Sequence, residues 1–170
     1  MVSFNLGGSS IEKTVESTSA VVGSTSDSHT ANTVYSKVDT TVEHIHGVSR
    51  VFPTLATGIL VTAAGGAWIE GTYANILSAS AVGSQFDLHY VNIETLSANA
   101  AYELVFATGS AGNELEVARV RFNRLNNNES ANGVPIMTPL LPANVRVAAK
   151  LASSTGGATV NVSVYYHTYS

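Results

Sequence analysis

The chain has 170 residues, a formal net charge of -4, and only 12% charged residues against 45% hydrophobic ones. That length supports one domain with a real core, and the mild acidity argues against a nucleic-acid partner, because phosphate binding needs a basic face. The absence of cysteine excludes disulfides, thiolate metal sites, iron-sulfur clusters and a cysteine nucleophile.

So low a charge, about half the usual globular share, leaves Ser, Thr, Asn and backbone to make the polar surface. Proteins packed against copies or partners have such surfaces. The opening residues, Met1 to Gly8, lack the basic start and apolar run of a secretory signal. The longest mostly apolar run, 58–69, is too short for a bilayer and is interrupted by Thr62 and two glycines. The expectation is a soluble protein with no membrane partner.

Residues 1–33 are crowded with Ser and Thr and carry isolated apolar residues: Phe4, Leu6, Ile11, Val15, and the pair Val21 and Val22. Such a segment cannot offset its own ordering entropy by burial. It reads either as a disordered tail or as an extended arm whose apolar anchors dock on neighbouring subunits. Residues 34–53 form a connector or first strand. Val34, Val38, Thr41, Ile45 and Val48 fit a short heptad, but their Thr and Val content disfavours a helix. Pro53 closes the segment.

Residues 54–170 read as strands separated by turn signals. Ile59 to Thr62 is short and apolar, and Trp68 to Asn75 reads as a strand with mixed faces. Phe86, Leu88 and Tyr90 alternate with Asp87, His89 and Val91 in a strand ending near Glu94. Tyr102 to Ala107 and Glu114 to Phe122 form a hairpin around the loop 108–113. Val134 to Met137 reads as an edge strand, since Pro135 is poorly tolerated in a central one. The stretch Val145 to Tyr169 alternates with period two on both sides of Gly156-Gly157, which reads as a final hairpin with its valines inward. The class expected is all-β: a jelly-roll-like antiparallel β-sandwich with an extended N-terminal arm.

Chemical signatures are sparse. There is no phosphate-binding glycine loop before a helix and no nucleophile elbow. Asp87 and His89 share a strand face near Glu94, a pairing that chance often produces. His167 has no visible partner. His44 and His46 flank Ile45 on one side of an extended segment. They read either as polar connector residues or, on a threefold axis, as six nitrogens from three copies around a divalent transition metal. Otherwise no cofactor is expected. Tyr166 belongs with the inward valines, leaving Tyr165 and Tyr169 for edge or interface packing.

Several stretches together resemble small structural proteins of tailed bacteriophages. They are Arg50 to Leu55, Gly66 to Trp68, Phe86 to His89, Val91 to Glu94, Tyr102 to Val105, Val117 to Arg121, Val134 to Ile136, Ala148 to Ser154 and Tyr166 to Tyr169. The resemblance covers about the last two-thirds of the chain. It implies a non-enzymatic β-sandwich virion protein that binds and stabilises the capsid as a cement or decoration protein. The implied partners are the major capsid protein and self, as a homotrimer. The implied place is the capsid exterior, after assembly in the host cytoplasm. The alternative is a receptor-binding or fibre-tip module recognising a cell-surface glycan.

Overall fold

A computed structural model describes residues 48–54, 57–124 and 133–169, all within the compact unit that begins at Val48. Phe4, Leu6, Ile11, Val15, Val21, Val22, His44 and His46 lie outside the described residues. The described chain is all strand and loop: β1 (Val48–Phe52), β2 (Ile59–Thr62), β3 (Ala74–Leu77), β4 (Gln85–Leu96), β5 (Ala101–Thr108), β6 (Leu115–Asn123), β7 (Val134–Pro135), β8 (Val147–Ser153) and β9 (Thr159–Tyr169).

The strands form two antiparallel sheets. One has the order β1-β9-β4-β7, with β2 also pairing with β9; the other has the order β3-β8-β5-β6. β1 takes the Val164–Thr168 half of β9 and β2 the Thr159–Val162 half, so together they make one interrupted edge strand. Apart from β1–β2 and the β5–β6 hairpin, every connection carries the chain from one sheet to the other. That crossing pattern defines a jelly-roll-like sandwich.

The inner faces arise from the period of two. Val160, Val162, Val164 and Tyr166 of β9 meet Tyr102, Leu104 and Phe106 of β5 and Val147, Ala149 and Leu151 of β8 in one buried core. The Tyr102 hydroxyl reaches this core without a polar cost, because it donates to Ala98 O at 2.6 Å. Beyond β7 the chain continues along β4. Ile136 N bonds to His89 O, Thr138 N to Leu88 O and Leu141 N to Phe86 O. This covers an edge that would otherwise invite strand addition. Pro135 stands on that edge, as its missing N–H requires.

Three sequence expectations are corrected. β8 and β9 are not a hairpin: β8 pairs with β3 and β5, and β9 with β1, β2 and β4. Gly156 and Gly157, with φ of 65° and 62°, turn a corner between sheets. Ala63 N and Gly157 N bond across it to Ala158 O and Ala64 O. The stretch Trp68 to Asn75 is mostly loop. Trp68 sits at a φ of 59°, which breaks an extended run, and regular pairing starts only at Ala74. The alternation expected for β4 also fails halfway. Register shifts between Leu88 and Tyr90 and again between Ile93 and Thr95 mark two bulges. Each inserts one residue and reverses the phase of the residues after it, so Val91 is buried and Tyr90 exposed.

Candidate functional site

The bulges decide what the outer face of the β9 sheet presents. His89 and Tyr90, consecutive in sequence, both stand outward, as do Glu94 and Thr95. Opposite them, β9 presents Asn161, Ser163, Tyr165, His167 and Tyr169. The register sets Asp87 against His167 and Tyr90 against Tyr165, and His167 also faces Ser49 of β1.

At one end of this face a compact cluster forms. The rings of His89 and His167 stack, with centroids 3.8 Å apart and planes 2° from parallel. Asp87 Oδ1 lies 3.4 Å from His167 Nδ1. The Tyr169 hydroxyl donates to Asp87 Oδ2 at 2.7 Å. Asp87, His89 and His167 can each offer one ligand atom such that all lie within 4.8 Å of one another. Two buried polar atoms here, Asp87 Oδ1 and His89 Nδ1, have no hydrogen-bond partner. Burial first, then the His167 imidazole, hold His89 below its ordinary value, and Asp87 offsets this only in part. The hydrogen bond to Asp87, aided by burial, pushes the Tyr169 phenol up to about 12.

The aromatic row continues along the face. Tyr165 meets His89 and Tyr90 edge-on, at centroid distances of 6.4 and 6.1 Å. At the far end Glu94 works as a structural tie. Its Oε2 accepts from Gly58 N at 2.6 Å, and its Oε1 accepts from the Ser163 hydroxyl. A Cβ on Gly58 would stand 2.8 Å from both Glu94 Oε2 and the Val162 backbone, so the chain crosses there only as glycine. Glu94 is thus committed to holding the β1–β2 connection on β9, away from Asp87 and His89.

The outer face of the β8 sheet carries different chemistry. Glu103 pairs with Arg119 and Arg121, Arg119 also with Glu116 at 2.7 Å, and Lys150 with Glu70. Lys150 Nζ stands 5.0 Å above the Tyr73 ring. Burial pushes the Glu103 carboxyl up, but hydrogen bonds and charge from Arg121 and Arg119 prevail and hold it below its ordinary value. Beside these groups, Trp68, Glu70, Glu103, Arg121 and Ala152 line a cleft of about 460 Å³. The Trp68 ring is half exposed at its rim.

Sequence reasoning placed Asp87 and His89 on one face but missed His167 and Tyr169. Their partnership depends on the β4–β9 register, for which no local signal exists. The geometry defines the chain as a jelly-roll-like antiparallel β-sandwich with one aromatic, histidine-bearing outer face and one ion-paired outer face. No protein-family model and no characterised protein sequence matches the chain. Among solved structures it is similar to the Eiger TNF of S. frugiperda, at 7% identity and a TM-score of 0.39, over 73% of this chain and 93% of that one.

Proposed function

We propose that this protein is a non-enzymatic structural component of a tailed-phage virion, a homotrimer that binds the major capsid protein from outside and stabilises the shell. The observation that carries the reading is the outer face of the β9 sheet. Leu60 and Tyr90 are exposed there, Tyr165 lies between Tyr90 and His89, and its carboxylates Asp87 and Glu94 are tied to neighbours. A row of tyrosines with little free charge suits the core of a protein interface. The sequence resemblance to capsid cement proteins supplies the partner. A subunit that binds only the assembled shell stabilises it by mass action.

The test is cosedimentation with capsids assembled without this protein. The expected result is saturable binding that raises the melting temperature of the shell. Deleting residues 1–33 is expected to leave the sandwich folded and to weaken capsid binding at least tenfold, about 1.4 kcal/mol or more. Failure to cosediment, or a few copies at the tail tip, overturns the reading. A second reading, a receptor-binding module for a cell-surface glycan, is favoured by the Trp68 cleft, where an exposed indole stands beside Glu70, Glu103 and Arg121. Binding on a glycan array that Trp68→Ala removes would select it.

A further inference from the structure

We propose that Asp87, His89 and His167 form a binding site for a divalent transition-metal ion on the outer face of the β9 sheet, with Tyr169 as the residue that positions the carboxylate. The site is independent of the capsid reading and of His44 and His46.

Four observations carry it. The donors are of the right kind: two imidazoles and one carboxylate suit zinc and its neighbours, whereas calcium and magnesium prefer oxygen alone. They are already gathered, within 4.8 Å of one another. The carboxylate is oriented. Tyr169 holds Asp87 Oδ2 at 2.7 Å, which leaves Oδ1 turned toward His167 Nδ1 at 3.4 Å. A hydrogen bond to the far oxygen of a ligating carboxylate is the usual outer support of such a site. Finally, Asp87 Oδ1 and His89 Nδ1 are buried without hydrogen-bond partners, a state that costs free energy unless something binds there. An ion satisfies the carboxylate oxygen and takes a lone pair from each ring.

The rearrangement needed is small. Ligands on one tetrahedral ion with bonds of about 2.0–2.2 Å stand about 3.4 Å apart, so atoms lying within 4.8 Å of one another need close by no more than about 1.4 Å. The ring centroids are 3.8 Å apart, so one nitrogen of each ring can be brought to a shared ion by rotation about the side-chain torsions. The side chains of Asp87 and His167 are partly exposed, and paired strands fix their bases. Three protein ligands leave a fourth position for water or a group from another molecule.

The experiment titrates full-length protein with Co²⁺ and Zn²⁺, reading calorimetry and the visible absorption of Co²⁺. The expected result is one ion per chain at this site, with binding weakened at least tenfold by His89→Gln, His167→Gln or Asp87→Asn, and severalfold by Tyr169→Phe. The double variant His44→Gln/His46→Gln is expected to retain it. Melting curves check that each variant is folded. Because a variant can fail that check, the wild type is also followed by NMR, where Co²⁺ should broaden the ring signals of His89 and His167 first among the five histidines. Affinity unchanged in His89→Gln and His167→Gln, loss of binding only in the His44/His46 variant, or broadening that spares both rings overturns the proposal.

Discussion

The two outer faces of one sandwich are built from opposite materials. On the β8 sheet, Glu70, Glu103 and Glu116 meet Arg119, Arg121 and Lys150 in a cross-strand network. Three acids and three bases neutralise one another within the subunit. Val105 lies between Arg119 and Lys150 in the register and is buried, so the charged residues also cover the sheet with their apolar stems. On the β9 sheet the outward residues include Leu60, Tyr90, Tyr165, Tyr169, His89, His167 and Asn161, and the carboxylates there, Asp87 and Glu94, are tied to neighbours. The first face satisfies itself and gains little from a partner. The second presents rings, amides and imidazoles that a partner or an ion can still use. Fold alone does not distinguish the faces, since both rest on the same core.

That shared core gives the largest expected effect. Val162→Asp places a charge at a fully buried position of β9, inside an apolar cluster. Burying an unpaired charge costs far more than a domain's whole stability unless it neutralises. Soluble folded protein should disappear, as read by yield and circular dichroism. Near-normal melting would mean the inner face is not where the strands put it. A smaller loss is expected from Glu103→Ala, which leaves Arg119 and Arg121 facing each other without their shared carboxylate. The outer ends of both guanidinium groups are in water, so the cost should be about 1–2 kcal/mol by chemical denaturation. No change would mean the network contributes nothing.

The sandwich was legible in the sequence because its strands keep a period of two, and because Pro135 can stand only on an edge. Their pairing was less legible. Residues 145–169 alternate on both sides of a double glycine, and a corner between sheets uses the same residues as a hairpin. Local pattern records which face is apolar but not which sheet receives it. The bulges in β4 carry no Gly or Pro signal. The sequence therefore placed Tyr90 with Phe86 and Leu88, when the inserted residue turns it outward. The cluster at Asp87 was half visible for the same reason. Asp87 and His89 are local neighbours, but His167 and Tyr169 arrive from the far end of the chain through the register of β9.

The ion-paired face also sets an acid limit on stability. Glu103 and Glu116 are both held below the ordinary value of 4.5: Glu103 against the opposing effect of burial, by its two arginines, and Glu116 chiefly by its hydrogen bond to Arg119. With folded values depressed, the unfolded chain binds protons first as pH falls. The stabilisation is complete above 4.5 and is lost as pH falls through the folded values. The melting temperature should fall slightly as pH drops below about 6.5, where the unfolded chain binds the proton that folded His89 resists, and decline further below about 4.5 as the carboxylates are protonated. Glu103→Gln should start lower and decline less. An equal decline in both proteins would assign acid loss to other carboxylates.

The aromatic face predicts the smallest change in the fold and the clearest change in assembly. Leu60→Ser and Tyr165→Ser remove apolar surface that points outward from β2 and β9. Leu60 is exposed and Tyr165 loses only edge contacts with His89 and Tyr90, so a lone subunit should lose about 1–2 kcal/mol at most. If the face joins copies, wild-type melting must rise with protein concentration, because association stabilises only the folded chain. The double variant should melt near the most dilute wild type at every concentration, and its scattering mass should stay at 17.7 kDa where the wild type gives a trimer. The matching pair of substitutions on the other face, Glu116→Ser and Arg119→Ser, should lower melting yet leave the concentration dependence intact. A wild type that is monomeric and melts independently of concentration rejects the free trimer. If instead the β8-face variant loses the concentration dependence, the two faces have been assigned the wrong way round.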